Sequence, residues 1–237
     1  MFPFFNLSYL IFMAPAFILM MLAQLYVTSS YNKWSKVAAR SRLTGAQAAQ
    51  RLISTGGLYN VTVQPVPGNL SDHYDPRSKV LSLSPGVYQG NSVAALAVAA
   101  HELGHAMQDQ EGYLPLRLRA ALVPAVNIGS YLGWILIFVG LIMRSALGTN
   151  LAGLGVLVFS AGLVFALATL PVELNASARA RQLLTNSGLI AGTDEEHGVS
   201  TVLNAAAMTY VAAVVTAALQ LFYYASLVFG MGGRRRS

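Results

Sequence analysis

Two histidines and a glutamate occupy one short segment with the spacing of a metal site. Residues 101–105 read His-Glu-Leu-Gly-His. On an α-helix, His101 and His105 lie one turn apart on one face, so both imidazoles can reach one Zn²⁺ ion at about 2.0–2.1 Å. Glu102 lies about 100° around the helix, where it can take a proton from a metal-activated water and pass it to a leaving amine. Gly104 leaves room for another element to pack closely.

The alternative is a pair of ordinary histidines on a helix surface. With four histidines in 237 residues, this motif is expected by chance only about 0.001 times. The preceding residues 92–100, SVAALAVAA, are apolar on every face and predict a buried helix. Unpaired histidines would be costly there, so we favour zinc as the cofactor.

The composition is that of a membrane protein. Hydrophobic residues make up 55% of the chain and charged residues 10%, against about 25% charged in soluble proteins. These values exclude a disordered chain and argue against an ordinary soluble globule. The absence of cysteine excludes disulfides, thiolate ligands and a thiol nucleophile.

Four stretches are long and apolar enough to cross a bilayer. The predicted spans are 7–27, 121–143, 151–170 and 205–230, with a tight turn over 144–150. The first lacks a basic n-region and a cleavage signal, so we expect a retained anchor. The alternative for each span is a buried core helix. The second and third spans argue against it, because each has about 20 residues without a charge.

Basic residues indicate the orientation. Segments 28–120 and 171–203 hold eleven Lys and Arg, against four on the other side, three of them in the tail Arg234–Arg236. We expect a multi-pass protein of the inner (plasma) membrane with the 101–105 motif facing the cytoplasm, although the tail argues against this. The predicted domains are 1–30 (anchor), 31–120 (cytoplasmic), 121–170 (transmembrane hairpin), 171–203 (third ligand and cytoplasmic loop) and 204–237 (fourth span and tail).

The pattern of the cytoplasmic segment predicts a short sheet between two helices. The predicted fold class of the whole chain is an α-rich α+β membrane protein. A helix is expected over 33–52, with Thr44 a candidate N-cap. Strands are expected over 61–66, 71–74 and 80–83. A helix that Asn91 or Ser92 caps then runs to about residue 110 and carries the motif.

Glu173 is the best candidate for a third ligand. The hairpin leaves the membrane near residue 120 and returns near 171 on the same side, so Glu173 and the motif meet at one membrane face. A carboxylate there needs a partner, and zinc would supply one. The alternative is an interfacial glutamate paired with Arg179 or Arg181.

The chain resembles the YugP-type neutral zinc metallopeptidases of bacterial membranes. The resemblance covers about residues 43–224 and is carried by LTGAQAAQRLI (43–53), GLYNVTV (57–63), LSDHYDPRSKVLSLSPGVY (70–88), VAAHELGHAMQDQEGY (98–113), PVELNASARA (171–180) and VLNAAAMTYVAA (202–213). It implies a small gluzincin-like domain in which His101, His105 and Glu173 bind zinc and Glu102 is the base. Gluzincins often place an orienting Asp four residues after the third ligand, where this chain has Ser177.

Further roles follow from the same resemblance. Asn175 and Ser177 are the candidates for orienting a ligand. An edge strand with Asp72, His73 and Tyr74 would bind the peptide by β-augmentation, and the alternative is a plain hairpin.

A peptidase also needs a hydrogen-bond donor for the oxyanion of the tetrahedral intermediate, and the sequence leaves several candidates. Tyr210 is a candidate, and Tyr74, His73 and His197 remain open. The alternative for Tyr210 is an interfacial belt tyrosine.

These observations predict a membrane-embedded zinc-dependent endopeptidase that hydrolyses peptide bonds near the cytoplasmic membrane face. The expected partners are a peptide or membrane-protein substrate and the lipid bilayer, and no nucleic acid. The alternatives are a catalytically quiet zinc-containing scaffold or adaptor, and hydrolysis of a lipid or small molecule.

Overall fold

The computed structural model describes residues 7–58, 60–143 and 145–233. In this part of the chain the elements are α1 (Leu7–Trp34), α2 (Gly45–Thr55), β1 (Thr62–Pro65), β2 (His73–Asp75), β3 (Val80–Leu83), α3 (Pro85–Tyr88), α4 (Val93–Gln110), α5 (Leu114–Met143), α6 (Ala146–Phe159), α7 (Ala161–Asn186) and α8 (Thr193–Gly233). Four helical stretches are long and apolar enough to cross a membrane. A helix-rich protein with four candidate spans and a small sheet is thus confirmed.

The described chain divides into two compact units. One comprises the residues up to Leu22, Arg117–Leu170 and those from Tyr210 on. The other comprises Ala23–Leu116 and Pro171–Thr209 and contains the sheet and α4.

In the first unit, small residues allow α5 and α6 to approach closely. A Cβ on Gly133 would lie 2.8 Å from the backbone nitrogen of Phe159, and one on Gly140 would lie 2.4 Å from the carbonyl oxygen of Gly148. Such close backbone contact is how membrane helices associate where lipid gives no hydrophobic driving force between them.

The four candidate spans differ from the predicted ones at their ends. The predicted turn over 144–150 is wrong, because the Ser145 hydroxyl accepts a hydrogen bond from the Gly148 N–H and α6 begins at Ala146. The third span consists of α6 and α7, and α7 continues through Pro171 to Asn186. The basic residues Arg144 and Arg234–Arg236, used in the charge count, lie outside the described residues.

The predicted helix over 33–52 is also wrong. The chain leaves the helix after Trp34 because residues 38–45 pair with the segment before α4. The Ala39 N–H donates to the Asn91 carbonyl at 2.9 Å. Thr44 is confirmed as an N-cap, since it forms a capping box with Gln47 at the start of α2. Ser92 caps α4.

The three strands form a sheet of order β1-β3-β2. β1 is parallel to β3, and β2 is antiparallel to it, with Tyr74 opposite Leu81. β3 has its predicted bounds, whereas β2 begins at His73, two residues later than predicted. Leu81 and Leu83 are fully buried in the same cluster as the Ala and Leu side chains of α4, so the sheet and α4 share one core.

Candidate metal centre

The centre forms where α4 packs against α7. A Cβ on Gly104 would lie 2.5 Å from the backbone carbonyl oxygen of Ala176, so only glycine allows this approach. His101 and His105 flank Gly104 on α4, and Glu173 and Ser177 flank Ala176 on α7. The close crossing therefore brings side chains more than 65 residues apart in sequence into one cluster.

Three potential ligand atoms converge there, one from each of His101, His105 and Glu173, all within 4.8 Å of one another. Oε2 of Glu173 lies 3.2 Å from Nε2 of His101 and 3.5 Å from Nε2 of His105. Donors about 2.0–2.1 Å from a tetrahedral zinc ion are separated by about 3.3–3.4 Å. The two separations from Glu173 are close to this value, and two imidazoles with one carboxylate are a donor set that catalytic zinc sites use.

The other nitrogen of each imidazole has its own partner. A metal on Nε2 leaves the proton on Nδ1. Nδ1–H of His101 then donates to Oγ of Ser177 at 3.2 Å, and Nδ1–H of His105 donates to Oε1 of Gln108 at 3.0 Å. Such partners orient metal-binding histidines and raise their basicity.

Gln108 is a residue that the sequence analysis missed. Its side chain is fully buried, and Nε2 donates to the carbonyl of Val172 at 2.8 Å and to Oδ1 of Asn175 at 3.0 Å. In the described part of the chain, Asn175 is thus connected to His105 through Gln108. The available signal was its position three residues after His105, on the same helix face.

An ion pair extends the network. Arg179 donates through Nε to Oδ1 of Asn175 at 2.7 Å and through Nη1 and Nη2 to Glu111 at 2.6 and 2.7 Å. Arg181 donates instead to Asn204. The described contacts of these two arginines therefore do not support the alternative in which Glu173 pairs with one of them.

The side chain of Glu102 extends from α4 to the edge strand β2. Its Oε2 accepts a hydrogen bond from the backbone N–H of Tyr74 at 3.1 Å. Burial raises the pKa of Glu102, partly offset by the adjacent His101 and His105. A carboxylate with a raised pKa is a better proton acceptor near neutral pH.

The remaining predicted site residues are placed as follows. The Asp72 carboxylate accepts from the backbone N–H and hydroxyl of Ser84, so it fastens the chain before β2 to the end of β3. His73 is exposed, and its Nδ1 lies 2.9 Å from the Ser71 carbonyl oxygen. Tyr210 lies in α8, in the other unit, and its role stays a prediction.

Comparisons with known proteins agree with this chemistry. Residues 9–229 match the family described as "Putative neutral zinc metallopeptidase". The chain is 48% identical over 202 residues to "Putative membrane protease YugP" of Bacillus subtilis (strain 168), covering 85% of this chain and 88% of that protein. No solved structure matches. The chain therefore belongs to the neutral zinc metallopeptidase family.

Proposed function

We propose that this protein is a membrane-embedded, zinc-dependent endopeptidase that cuts peptide bonds near the cytoplasmic membrane face. The observation that carries the proposal is the convergence of one ligand atom each from His101, His105 and Glu173 within 4.8 Å of one another, with Glu102 next to His101 on α4. Its family and its similarity to a membrane protease support the same class of reaction.

Each residue has a defined task in this proposal. Zinc bound to the three ligands would supply Lewis acidity and lower the pKa of a water molecule towards about 7. Glu102 accepts the proton of that water and returns it to the leaving amine. Ser177 and Gln108 hold the two imidazoles in the orientation and tautomer that leave Nε2 towards the metal.

The number of protein ligands also distinguishes a catalytic zinc site from a structural one. A structural zinc site is closed by four protein ligands, whereas a catalytic site has three and an open position. Among the described residues, the group that could hold a metal has three members. This count favours catalysis over a structural role.

The experiment uses the full chain purified in detergent with zinc and a peptide library. We expect cleavage, and we expect Glu102→Gln to keep its zinc while turnover falls by at least about 10²-fold, the lower end for losing a general base. Glu196→Gln, at an exposed glutamate in the first turn of α8, is the matched control and should cleave normally. A Glu102→Gln protein with wild-type turnover would contradict the proposal.

A further inference from the structure

Tyr74 of β2 contacts α4 at two points. Its backbone N–H donates to Oε2 of Glu102 at 3.1 Å, and its hydroxyl donates to Oδ2 of Asp109 at 2.8 Å. Glu102 and Asp109 are spaced i and i+7, so they lie on nearly the same face of α4 and about 10 Å apart along its axis. One residue of the edge strand therefore connects the proposed base to a carboxylate farther along the same helix.

Asp109 is the attachment point on α4 for both sides of the β2–β3 hairpin. Its Oδ2 also accepts from the ammonium group of Lys79, the residue directly before β3. Burial, together with the hydrogen bond to Asp109, raises the pKa of Tyr74. The Tyr74 hydroxyl therefore stays protonated and remains a donor to Asp109 near neutral pH.

The turn of this hairpin is closed by its own side chains. The Asp75 carboxylate accepts from the Arg77 N–H at 2.9 Å and from the Ser78 hydroxyl at 2.7 Å. β2 has three residues and pairs with β3 along one edge. Because the strand is short and its turn is closed on itself, the contacts with Asp109 determine where the Tyr74 backbone lies relative to α4.

We propose that Tyr74 and Asp109 are positioning residues for Glu102. The bond between the hydroxyl and the carboxylate holds β2 against α4, and the Tyr74 N–H then holds one carboxylate oxygen of Glu102. The inference rests on the proposed peptidase function and deepens it by assigning roles to two residues outside the metal centre.

The proposed role of Glu102 requires such positioning. A general base must lie within about 2.6–3.2 Å of the group whose proton it accepts, and a displacement of about 1 Å can lower the rate about 10²-fold. The Tyr74 N–H engages Oε2 of Glu102, whereas Oε1 accepts no hydrogen bond from the described residues. One oxygen is therefore fixed, and the other is left to accept the proton.

The same contact distinguishes this role from direct pairing of the substrate with β2. A peptide bound by β-augmentation would need the Tyr74 N–H as a donor, and Glu102 already occupies that N–H. Loss of a positioning residue lowers kcat, because the substrate still binds but its proton acceptor is misplaced. Loss of a substrate-pairing strand raises KM instead.

The first test measures cleavage of a peptide by the zinc-loaded full chain. Tyr74→Phe removes the hydroxyl, and Asp109→Ala removes its acceptor. We expect kcat to fall by about tenfold or more in both variants, while KM and zinc content stay at the wild-type values. Asp109→Asn keeps an oxygen that can accept from Tyr74, so it should restore most of the kcat that Asp109→Ala loses.

The matched controls change the same residue types at exposed positions. Tyr131→Phe lies on α5, where Tyr131 is 78% exposed, and Asp194→Ala lies in the first turn of α8. Both should keep the wild-type kcat and KM. Thermal unfolding checks that each variant is folded, and Tyr74→Phe carries the test if Asp109→Ala does not fold.

Two further measurements separate positioning from a general loss of structure. NMR with isotope-labelled tyrosine follows hydrogen exchange of the Tyr74 amide, which should accelerate about tenfold or more in Asp109→Ala and stay slow in Asp109→Asn. In the Glu102→Gln background, Tyr74→Phe should cause no further loss of kcat, because the base that it positions is already absent. A residue that only stabilises the fold would lower this residual rate as well.

The outcomes separate this proposal from the peptidase function. If the wild type shows no Glu102-dependent cleavage, the peptidase function fails and the positioning role fails with it. If the wild type cleaves but Tyr74→Phe and Asp109→Ala keep its kcat, or change KM alone, only the positioning role is overturned.

Discussion

Oε1 of Gln108 lies 3.0 Å from Nδ1 of His105, and the same amide donates to the Val172 carbonyl on α7. One buried side chain therefore connects a proposed metal ligand to the helix that carries Glu173. This connection orients His105 relative to Glu173 and leads to the first prediction.

Gln108→Met keeps the length of the side chain but removes both hydrogen-bonding groups. Because His105 loses its orienting partner, we expect zinc affinity to fall by about 10- to 100-fold. Competition with a chelator measures this. Gln182→Met, at an exposed position of α7, is the control, and equal affinities in the two variants would exclude an orienting role.

Glu173→Gln removes the anionic ligand but keeps the size of the side chain. We expect zinc affinity to fall by about tenfold or more, since a neutral amide is a weak zinc ligand. Metal analysis after dialysis checks this against Glu196→Gln. Full zinc occupancy of the Glu173→Gln protein would rule out this ligand.

Gly104→Ala places a methyl group 2.5 Å from a backbone oxygen of α7. The helices must separate, so we expect a loss of about 1–3 kcal/mol in unfolding free energy together with weaker zinc binding. Gly162→Ala is the matched control, because a Cβ there meets nothing within 4 Å. Thermal unfolding in detergent compares them, and an undisturbed Gly104→Ala protein would refute the packing argument.

We expect the ion pair of Glu111 to make a pH-dependent contribution to the free energy of unfolding. Its hydrogen bonds with Arg179 lower the pKa of Glu111 below its ordinary value. The pair therefore stabilises the fold above the unfolded pKa, about 4.3, and this contribution is lost as pH falls through the lower folded pKa. Glu111→Gln should be less stable than wild type at pH 7, by less than about 1 kcal/mol because the carboxylate is exposed.

The same difference should disappear at acidic pH, where Glu111 is protonated in both states. Unfolding free energies at neutral and acidic pH check this, with Glu196→Gln as the control. A difference that grows on acidification would have the wrong sign.

The cytoplasmic orientation can be tested because the chain has no cysteine. Ser54→Cys lies on an exposed position of α2, and Asn150→Cys lies on an exposed position near the start of α6. We expect an impermeant thiol reagent to label Asn150→Cys in intact cells and Ser54→Cys only after the cells are opened, because basic segments stay inside. The reverse pattern would invert the topology.

Local sequence patterns predict the features that depend on neighbours along the chain. The spacing of His101 and His105, the caps at Thr44 and Ser92, and the four apolar stretches are local patterns, because a helix relates residues three or four positions apart. The segment 33–52 reads as one helix for the same reason, and long-range pairing of Ala39 with Asn91 breaks it.

Packing between distant parts of the chain sets which groups meet at the site. Glu173 and Ser177 reach the histidines because Gly104 permits close contact with Ala176, and helical periodicity carries no information about that distance. The structure also placed Gln108 between His105 and Asn175 and engaged Asp72 with Ser84. Each side chain has several possible partners in the sequence, and packing in three dimensions selects one.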